Sequence, residues 1–167
     1  MDVVIRPPRP EDAGGLVRAA ADLAQQYAEL EPDRFAVPDH AASLAYFAEV
    51  LARPERDDVV RFVAEVDGEA VGEAIAELRE PMRNAAVQPQ LDVRRRRAYL
   101  GYLAVQARYR GRGIGGRLLE AVEVWAREQG AELIATDTNL HSNIGAVEFY
   151  ERHGYVRQAV VLRKPLT

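Results

Sequence analysis

The sequence predicts an α/β fold with a mixed, mostly antiparallel sheet and helices on both faces. Two observations lead to this fold class. Apolar runs at residues 59–66 and 70–78 flank Asp67-Gly68, a tight-turn signal that predicts an antiparallel hairpin. Later, an apolar run at 98–105 is followed by a glycine-rich turn, an amphipathic segment and a second short apolar run, which predicts a parallel strand–helix–strand unit.

The N-terminal third predicts one strand and two helices. Residues 3–5 form a short strand that ends at Pro7-Pro8. A helix begins at Pro10-Glu11-Asp12, because proline and acids favour a first turn, and it continues to Tyr27. Asp39 is a cap for a second helix that ends at Arg53-Pro54. We expect its inner face to carry Leu44, Phe47, Val50 and Leu51.

Between the hairpin and the strand at 98–105 lies a polar connection, residues 81–97. It ends in four consecutive arginines, residues 94–97. We interpret the run as a solvated loop, and a role in holding an anionic group is the weaker alternative.

The C-terminal part predicts two further helices and two strands. Ile114, Leu118, Val122 and Trp125 recur at helical spacing in a helix at 113–129, which ends at Gly130. A strand follows at 133–136. Ser142 or Asn143 is a cap for a last helix that stops at Gly154, and residues 155–162 form a final strand.

Composition limits the classes of function. The 167 residues fit a single domain, 1–167, and the net charge of −4 gives no reason to expect a nucleic-acid partner. The absence of cysteine excludes disulfides, thiolate metal sites and a cysteine nucleophile. Three histidines far apart give no metal-ligand spacing. Without a signal core or a membrane-length apolar run, we expect a cytoplasmic protein with no membrane association.

The glycine-rich turn predicts a phosphate site. Gly111 and Gly113 leave backbone amides uncovered just before a helix start, and arginines 108, 110, 112 and 117 surround them. A dinucleotide-binding fingerprint also fits Gly111, Gly113 and Gly116, but five residues separate it from its strand and too little chain follows Asp137 for a doubly wound fold. A P-loop would need Gly-Lys-Ser/Thr, which is missing here.

Two blocks resemble the GCN5-related N-acetyltransferase (GNAT) family. Arg108-x-x-Gly111-x-Gly113 is similar to its pyrophosphate loop, Gln/Arg-x-x-Gly-x-Gly/Ala. Residues 143–155 are similar to its Asn-x-x-Ala-x-x-x-Tyr-x-x-x-Gly-Phe/Tyr segment. The order of predicted elements also matches the family, in which the parallel central pair of strands splays apart to admit the cofactor.

The resemblance implies acetyl-CoA as donor and a primary amine of a small molecule as acceptor. It implies that Tyr150 is the acid that protonates the leaving thiolate, because the matching tyrosine lies beside the thioester sulfur in the family. The implied cofactor-binding residues are the strand backbone, the phosphate loop and the last helix: Leu103, Ala104, Val105, Arg110, Gly111, Arg112, Gly113, Ile114, Gly115, Asn143, Ala146 and Tyr150.

Proton removal from the amine is open at the level of sequence. Many family members carry a glutamate on the central strand, but residues 98–105 contain no acid. Glu73 and Glu77 share one face of the hairpin's return strand, and Asp137 follows the strand at 133–136. A water chain is an equal alternative.

The resemblance leaves the acceptor and the assembly open as well. The chain could instead modify a protein N-terminus or a lysine, or serve as a non-catalytic acyl-CoA-binding regulatory module. A homodimer is compatible with the fold.

Overall fold

In the computed structural model, residues 1–54, 56–138, 144–159 and 163–164 are described. The chain forms two compact units, Met1–Asp137 and Thr138–Thr167. The first unit contains the whole described sheet and three helices, so most of the predicted fold can be compared within it.

The sheet has five strands in the order β1-β2-β3-β4-β5. The strands are β1 (Val3–Arg6), β2 (Val59–Val66), β3 (Glu69–Arg79), β4 (Arg97–Val105) and β5 (Leu133–Thr136). All neighbours pair antiparallel except β4 and β5, which pair parallel. The predicted mixed, mostly antiparallel sheet is confirmed.

The hairpin between β2 and β3 is confirmed with its turn. Asp67 and Gly68 have φ values of 50° and 81°, the left-handed pair that a tight two-residue hairpin requires.

Helices α1 (Ala13–Leu30) and α2 (His40–Leu51) follow β1. Asp39 caps α2 as predicted, because its Oδ1 accepts a hydrogen bond from the Ala42 amide at 2.8 Å. The predicted inner face of α2 is wrong at Leu44, which is 39% exposed. Only one edge of α2 reaches the core, where Phe47 and Leu51 pack against the cluster of Leu16, Val63 and Ala70.

Both faces of the sheet are covered. The cluster of Leu16 with Val63 and Ala70 places α1 on one face. The alternating residues of the other face, such as Ala64 and Leu100, are equally buried. Helix α3 (Ile114–Glu128) packs there, since it contacts β1 to β4 and buries Ile114, Leu118, Leu119 and Val122. Gly130, with φ 74°, follows α3 at the predicted end.

The second unit contains helix α4 (Ile144–Arg152), followed by Gly154 with φ 86°. This agrees with the predicted stop. The predicted cap, Ser142 or Asn143, lies outside the described residues. No strand forms at residues 155–159 of the predicted final strand, and residues 160–162 are also outside the described part.

Candidate functional site

The parallel strands β4 and β5 separate after four residue pairs. Their pairing ends at Leu100 and Thr136, where Thr136 Oγ1 donates a hydrogen bond to the Leu100 carbonyl oxygen at 2.9 Å. Strand β4 continues to Val105, and beyond Leu100 its partner among the described residues is β3 alone. Within that part of the chain, residues 101–105 therefore present one unpaired backbone edge to the opening beside β4. This edge carries the predicted residues Leu103, Ala104 and Val105.

A bulge in β4 lies where the opening begins. The register with β3 passes from Tyr102–Ile75 to Leu100–Ala76, so Gly101 has no partner on β3. A bulge bends its strand and increases the local twist. It therefore accompanies the departure of β4 from β5.

The glycine-rich loop follows the open edge directly. A short 3-10 helix at residues 107–109 leads to Gly111 and Gly113, whose φ values are 72° and 79°. A Cβ added at either glycine would meet no atom within 4 Å, so the loop surface is open. Within the described chain, the amides of residues 111–116 donate no backbone hydrogen bond, and the first bond of α3 runs from the Arg117 amide to the Gly113 carbonyl. These free amides and the helix start suit an anion.

The arginines around the loop differ in their partners. Arg108 Nη2 lies 2.6 Å from both carboxylate oxygens of Glu69. Arg110 donates from Nε to the Val105 carbonyl and from Nη1 to Gln26 Oε1, both at 2.9 Å. Both side chains thus brace the loop. Arg112 is exposed and forms no ion pair with the described residues, so its charge is available to a ligand.

Hydrogen bonds to helix α1 and strand β3 hold the start of the loop in place. Gln106 is 2% exposed, and its Nε2 donates to the Gly15 and Ala70 carbonyl oxygens at 3.1 and 3.0 Å. The Ala107 amide donates to Asp22 Oδ2 at 2.6 Å. Sequence reasoning missed these supporting residues, and the only available signal was a glutamine directly after an apolar run.

Glu73 and Glu77 of β3 share a face, as expected, but differ in environment. Glu73 is 1% exposed and pairs with Arg61 Nη1 at 2.9 Å through Oε2, while its Oε1 has no hydrogen-bond partner among the described residues. Burial raises the pKa of Glu73 to about 7 against the opposing attraction of Arg61. Burial also raises the pKa of the neighbouring Tyr102 phenol. The side chain of Glu77, four residues further along β3, is 40% exposed and accepts a hydrogen bond from Arg79 Nε at 2.9 Å.

Asp137 follows Thr136, the last residue of β5, and is exposed. Because β4 and β5 separate after Thr136, Asp137 lies at the start of the opening between them. Asp137 and Glu77 are thus a loop acid and a strand acid, each near the residues where β4 and β5 separate.

In the second unit, Tyr150 lies on α4 and is half-buried. Its ring packs against Phe149 and Tyr155, with centroid distances of 5.2 and 5.4 Å. Ala146, one turn earlier, is also half-buried, and the predicted binding residue Asn143 lies outside the described residues.

Features of two other functional classes are absent from the described ranges. Among residues 1–54, 56–138, 144–159 and 163–164, no helix has the length and apolar character needed to span a bilayer. The same residues contain no group of three or more histidines and acids that could hold a metal ion.

Comparisons with known proteins agree with this geometry. The model of the acetyltransferase (GNAT) family matches residues 17–155. N-alpha-acetyltransferase 30 of Schizosaccharomyces pombe is 38% identical over 61 residues, which are 36% of this chain and only 40% of that protein.

Solved structures share the fold. A mutant of the BH1408 protein from Bacillus halodurans superposes with a TM-score of 0.82 at 19% identity, covering 98% of this chain and 99% of that one. The aminoglycoside N-acetyltransferase AAC(6')-Iy in complex with CoA gives a TM-score of 0.63 at 22% identity, covering 99% and 95%.

Proposed function

Because this chain belongs to the acetyltransferase (GNAT) family, we propose that it transfers an acetyl group from acetyl-CoA to a primary amine of a small molecule. The observation that carries this proposal is the continuity of two features along the chain. The unpaired edge of β4 at residues 101–105 leads directly into a loop whose amides at residues 111–116 are free. The unpaired edge of β4 suits the extended, amide-containing pantetheine arm of the donor. The free amides of the loop suit its diphosphate.

The chain's own groups fit such a donor. The backbone of Leu103, Ala104 and Val105 can pair with the pantetheine amides as an added strand would. The Arg110 amide already donates to the Ala107 carbonyl oxygen at 3.2 Å. The free amides of residues 111–115 therefore bind the diphosphate, and Arg112 adds charge from its exposed side chain. We propose that Asn143, which is outside the described residues, and Ala146 of α4 also bind the cofactor.

The reaction forms one C–N bond and breaks one C–S bond. The amine nitrogen attacks the thioester carbonyl carbon, and the products are an N-acetyl amide and the CoA thiol. A nitrogen that binds as an ammonium must lose two protons, one before and one after it attacks the carbonyl, and the sulfur must gain one; one proton is released in total. We propose that Tyr150 donates the proton that the sulfur gains, since a phenol with an ordinary pKa of about 10 is protonated at neutral pH.

Glu77 and Asp137 are the carboxylates that we propose take the proton from the amine. Their support is position: Glu77 lies on β3 beside the point where β4 bulges, and Asp137 follows the end of β5. A carboxylate close to an ammonium also binds the substrate before the proton is transferred.

Calorimetry with acetyl-CoA is the direct test of the donor. We expect binding at micromolar concentrations, and its absence at high micromolar concentrations would refute the proposal. Release of CoA thiol on adding amines tests the transfer. Binding without release for any amine would leave only a non-catalytic acyl-CoA-binding module.

Tyr150→Phe tests the acid. We expect kcat to fall at least tenfold with little change in the KM for acetyl-CoA, because only the proton transfer is removed. Tyr46→Phe is the matched control, since Tyr46 is 61% exposed on α2. Unchanged turnover in Tyr150→Phe would exclude Tyr150 from the chemistry.

Glu77→Gln and Asp137→Asn test the proton acceptors separately. The variant that removes the acceptor lowers kcat by about 10²-fold, as is typical for loss of a general base. Glu120→Gln, on the exposed side of α3, is the control for losing one carboxylate. Full activity in both site variants would favour a water chain instead.

A peptide N-terminus is a second candidate acceptor. It is favoured by the 61-residue match to an N-alpha-acetyltransferase. Short peptides with free N-termini, compared with the same peptides blocked at the N-terminus, decide the point in the thiol-release assay.

A further inference from the structure

A small cavity lies on the α1 face of the sheet. Its volume is about 200 Å³, and it is lined by residues of β2, β3 and β4: Val59, Ile75, Ala76, Glu77, Tyr99 and Gly101. Val59, Glu77 and Tyr99 are cross-strand partners in one row, so their side chains stand on the same face of three adjacent strands.

The cavity adjoins the opening beside β4. Gly101 lines the cavity and is also the first residue of β4 beyond the last pair with β5. A group in the cavity is therefore next to whatever occupies the opening. This adjacency makes the cavity the place from which an acceptor would approach a donor lying along residues 101–105.

The chemistry of the cavity is mostly apolar, with one charged side chain. Val59, Ile75 and the Tyr99 ring supply apolar surface, and the Arg79 guanidinium covers the Tyr99 ring at 3.6 Å. Glu77 is the charged residue of the lining. Its Oε1 accepts from Arg79, and its Oε2 has no hydrogen-bond partner in the described part of the chain. The cavity is thus lined by an apolar surface with one carboxylate oxygen of Glu77 beside it.

From this arrangement we infer that the acceptor is a compact primary amine with an apolar alkyl or aryl substituent, whose ammonium binds Glu77 and whose carbon skeleton fills the cavity. The inference rests on the proposed function. A cavity of about 150 Å³ can hold benzene, so about 200 Å³ accepts a phenyl ring or a short branched chain. A polyhydroxylated amine is disfavoured, because each hydroxyl buried here would lose its hydrogen bonds to water without replacement.

A panel of amines tests the class by thiol release. We expect kcat/KM for 2-phenylethylamine and isoamylamine to exceed that for kanamycin and spermidine by at least tenfold. A preference for kanamycin or spermidine would overturn the inference while leaving the proposed function in place. If no amine releases thiol, the proposed function fails and the inference fails with it.

Two variants that change the volume of the cavity in opposite directions test whether the acceptor binds there. Ile75→Ala enlarges the cavity and Gly101→Val narrows it. A Cβ at Gly101 would be in ordinary van der Waals contact with the Tyr99 ring, at 3.7 and 3.8 Å, so the first atom of a side chain is accommodated there. The readout is kcat/KM for 2-phenylethylamine divided by that for propylamine.

We expect this ratio to fall at least fivefold in Gly101→Val and to be maintained or raised in Ile75→Ala. Val59→Ile is a second narrowing variant in case Gly101→Val folds poorly. A general loss of stability would lower both rates together, so an unchanged ratio in the narrowing variants would overturn the placement of the acceptor in this cavity.

Discussion

Thr136 Oγ1 donates a hydrogen bond to the Leu100 carbonyl oxygen at 2.9 Å, and these two residues are the last pair that joins β4 to β5. A side chain thus closes the paired segment at the point where the backbone ladder stops. Beyond it, β4 bulges at Gly101 and keeps only β3 as a partner. The opening that the proposed donor would enter therefore begins at Gly101 on β4 and at Asp137 after β5.

The hydroxyl of Thr136 should contribute measurably to stability. Thr136→Val removes the hydrogen bond and keeps the shape of the side chain, so we expect the free energy of unfolding in urea to fall by about 1 kcal/mol. Thr136→Ser keeps the hydroxyl and is the matched control. An undiminished free energy of unfolding in Thr136→Val, together with a loss in Thr136→Ser, would show that packing of the methyl group matters and the hydrogen bond does not.

Replacing either of two neighbouring glycines of α1 by alanine should have different effects on the free energy of unfolding. A Cβ at Gly15 would lie 2.1 Å from the Ala70 carbonyl oxygen, so Gly15→Ala must push α1 away from β3. We expect a loss of about 3 kcal/mol or more of unfolding free energy. Gly14→Ala should be neutral or stabilising by up to about 1 kcal/mol, because its Cβ meets only the end of Arg18, at 3.7 Å. A well-tolerated Gly15→Ala would contradict the close approach of the two elements.

The backbone conformation of the glycine-rich loop should affect CoA binding more than the added volume of a side chain at Gly113. At Gly113, φ is 79° and an added Cβ has free space, so Gly113→Ala costs only the strain of the left-handed conformation, about 1–2 kcal/mol. Relief of that strain would turn the free amides away from the ligand. We therefore expect the Kd for CoA, measured by calorimetry, to rise about tenfold or more, with the far-ultraviolet circular dichroism spectrum unchanged. An unaltered Kd would exclude this loop as the diphosphate site.

Glu73 should make stability depend on pH in an unusual direction. Its pKa in the folded protein, about 7, lies above the value of about 4.3 expected in the unfolded chain, so the folded state binds the extra proton between these values. Its contribution to the free energy of unfolding is therefore fully present below about pH 4 and is lost as the pH rises to about 7. The loss is about 4 kcal/mol at most.

Glu73→Gln removes that titration. The difference in unfolding free energy, wild type minus Glu73→Gln, should decrease between pH 5 and pH 8, and Glu120→Gln should show no such trend. A constant difference would mean that Arg61 keeps Glu73 ionised over the whole range.

The local patterns of the sequence determined most elements and the glycine-rich loop. Asp67-Gly68 fixed the hairpin turn, and Asp39 and Gly130 marked helix ends, because each acts through the backbone of its own few residues. Gly111 and Gly113 have the positive φ values for which glycine is suited. Such features need no knowledge of distant parts of the chain.

Tertiary structure alone decided which members of a pattern are buried and what they contact. Glu73 and Glu77 are equivalent in the alternation of β3, but only Glu73 lies under other elements, paired with Arg61. Glycine is unfavourable inside a helix. The reason for Gly15 in α1 is the close approach of the Ala70 carbonyl oxygen, which belongs to a residue 55 positions later in the chain. Burial and close approach depend on which elements pack above a residue, and that is set by contacts between segments far apart in sequence.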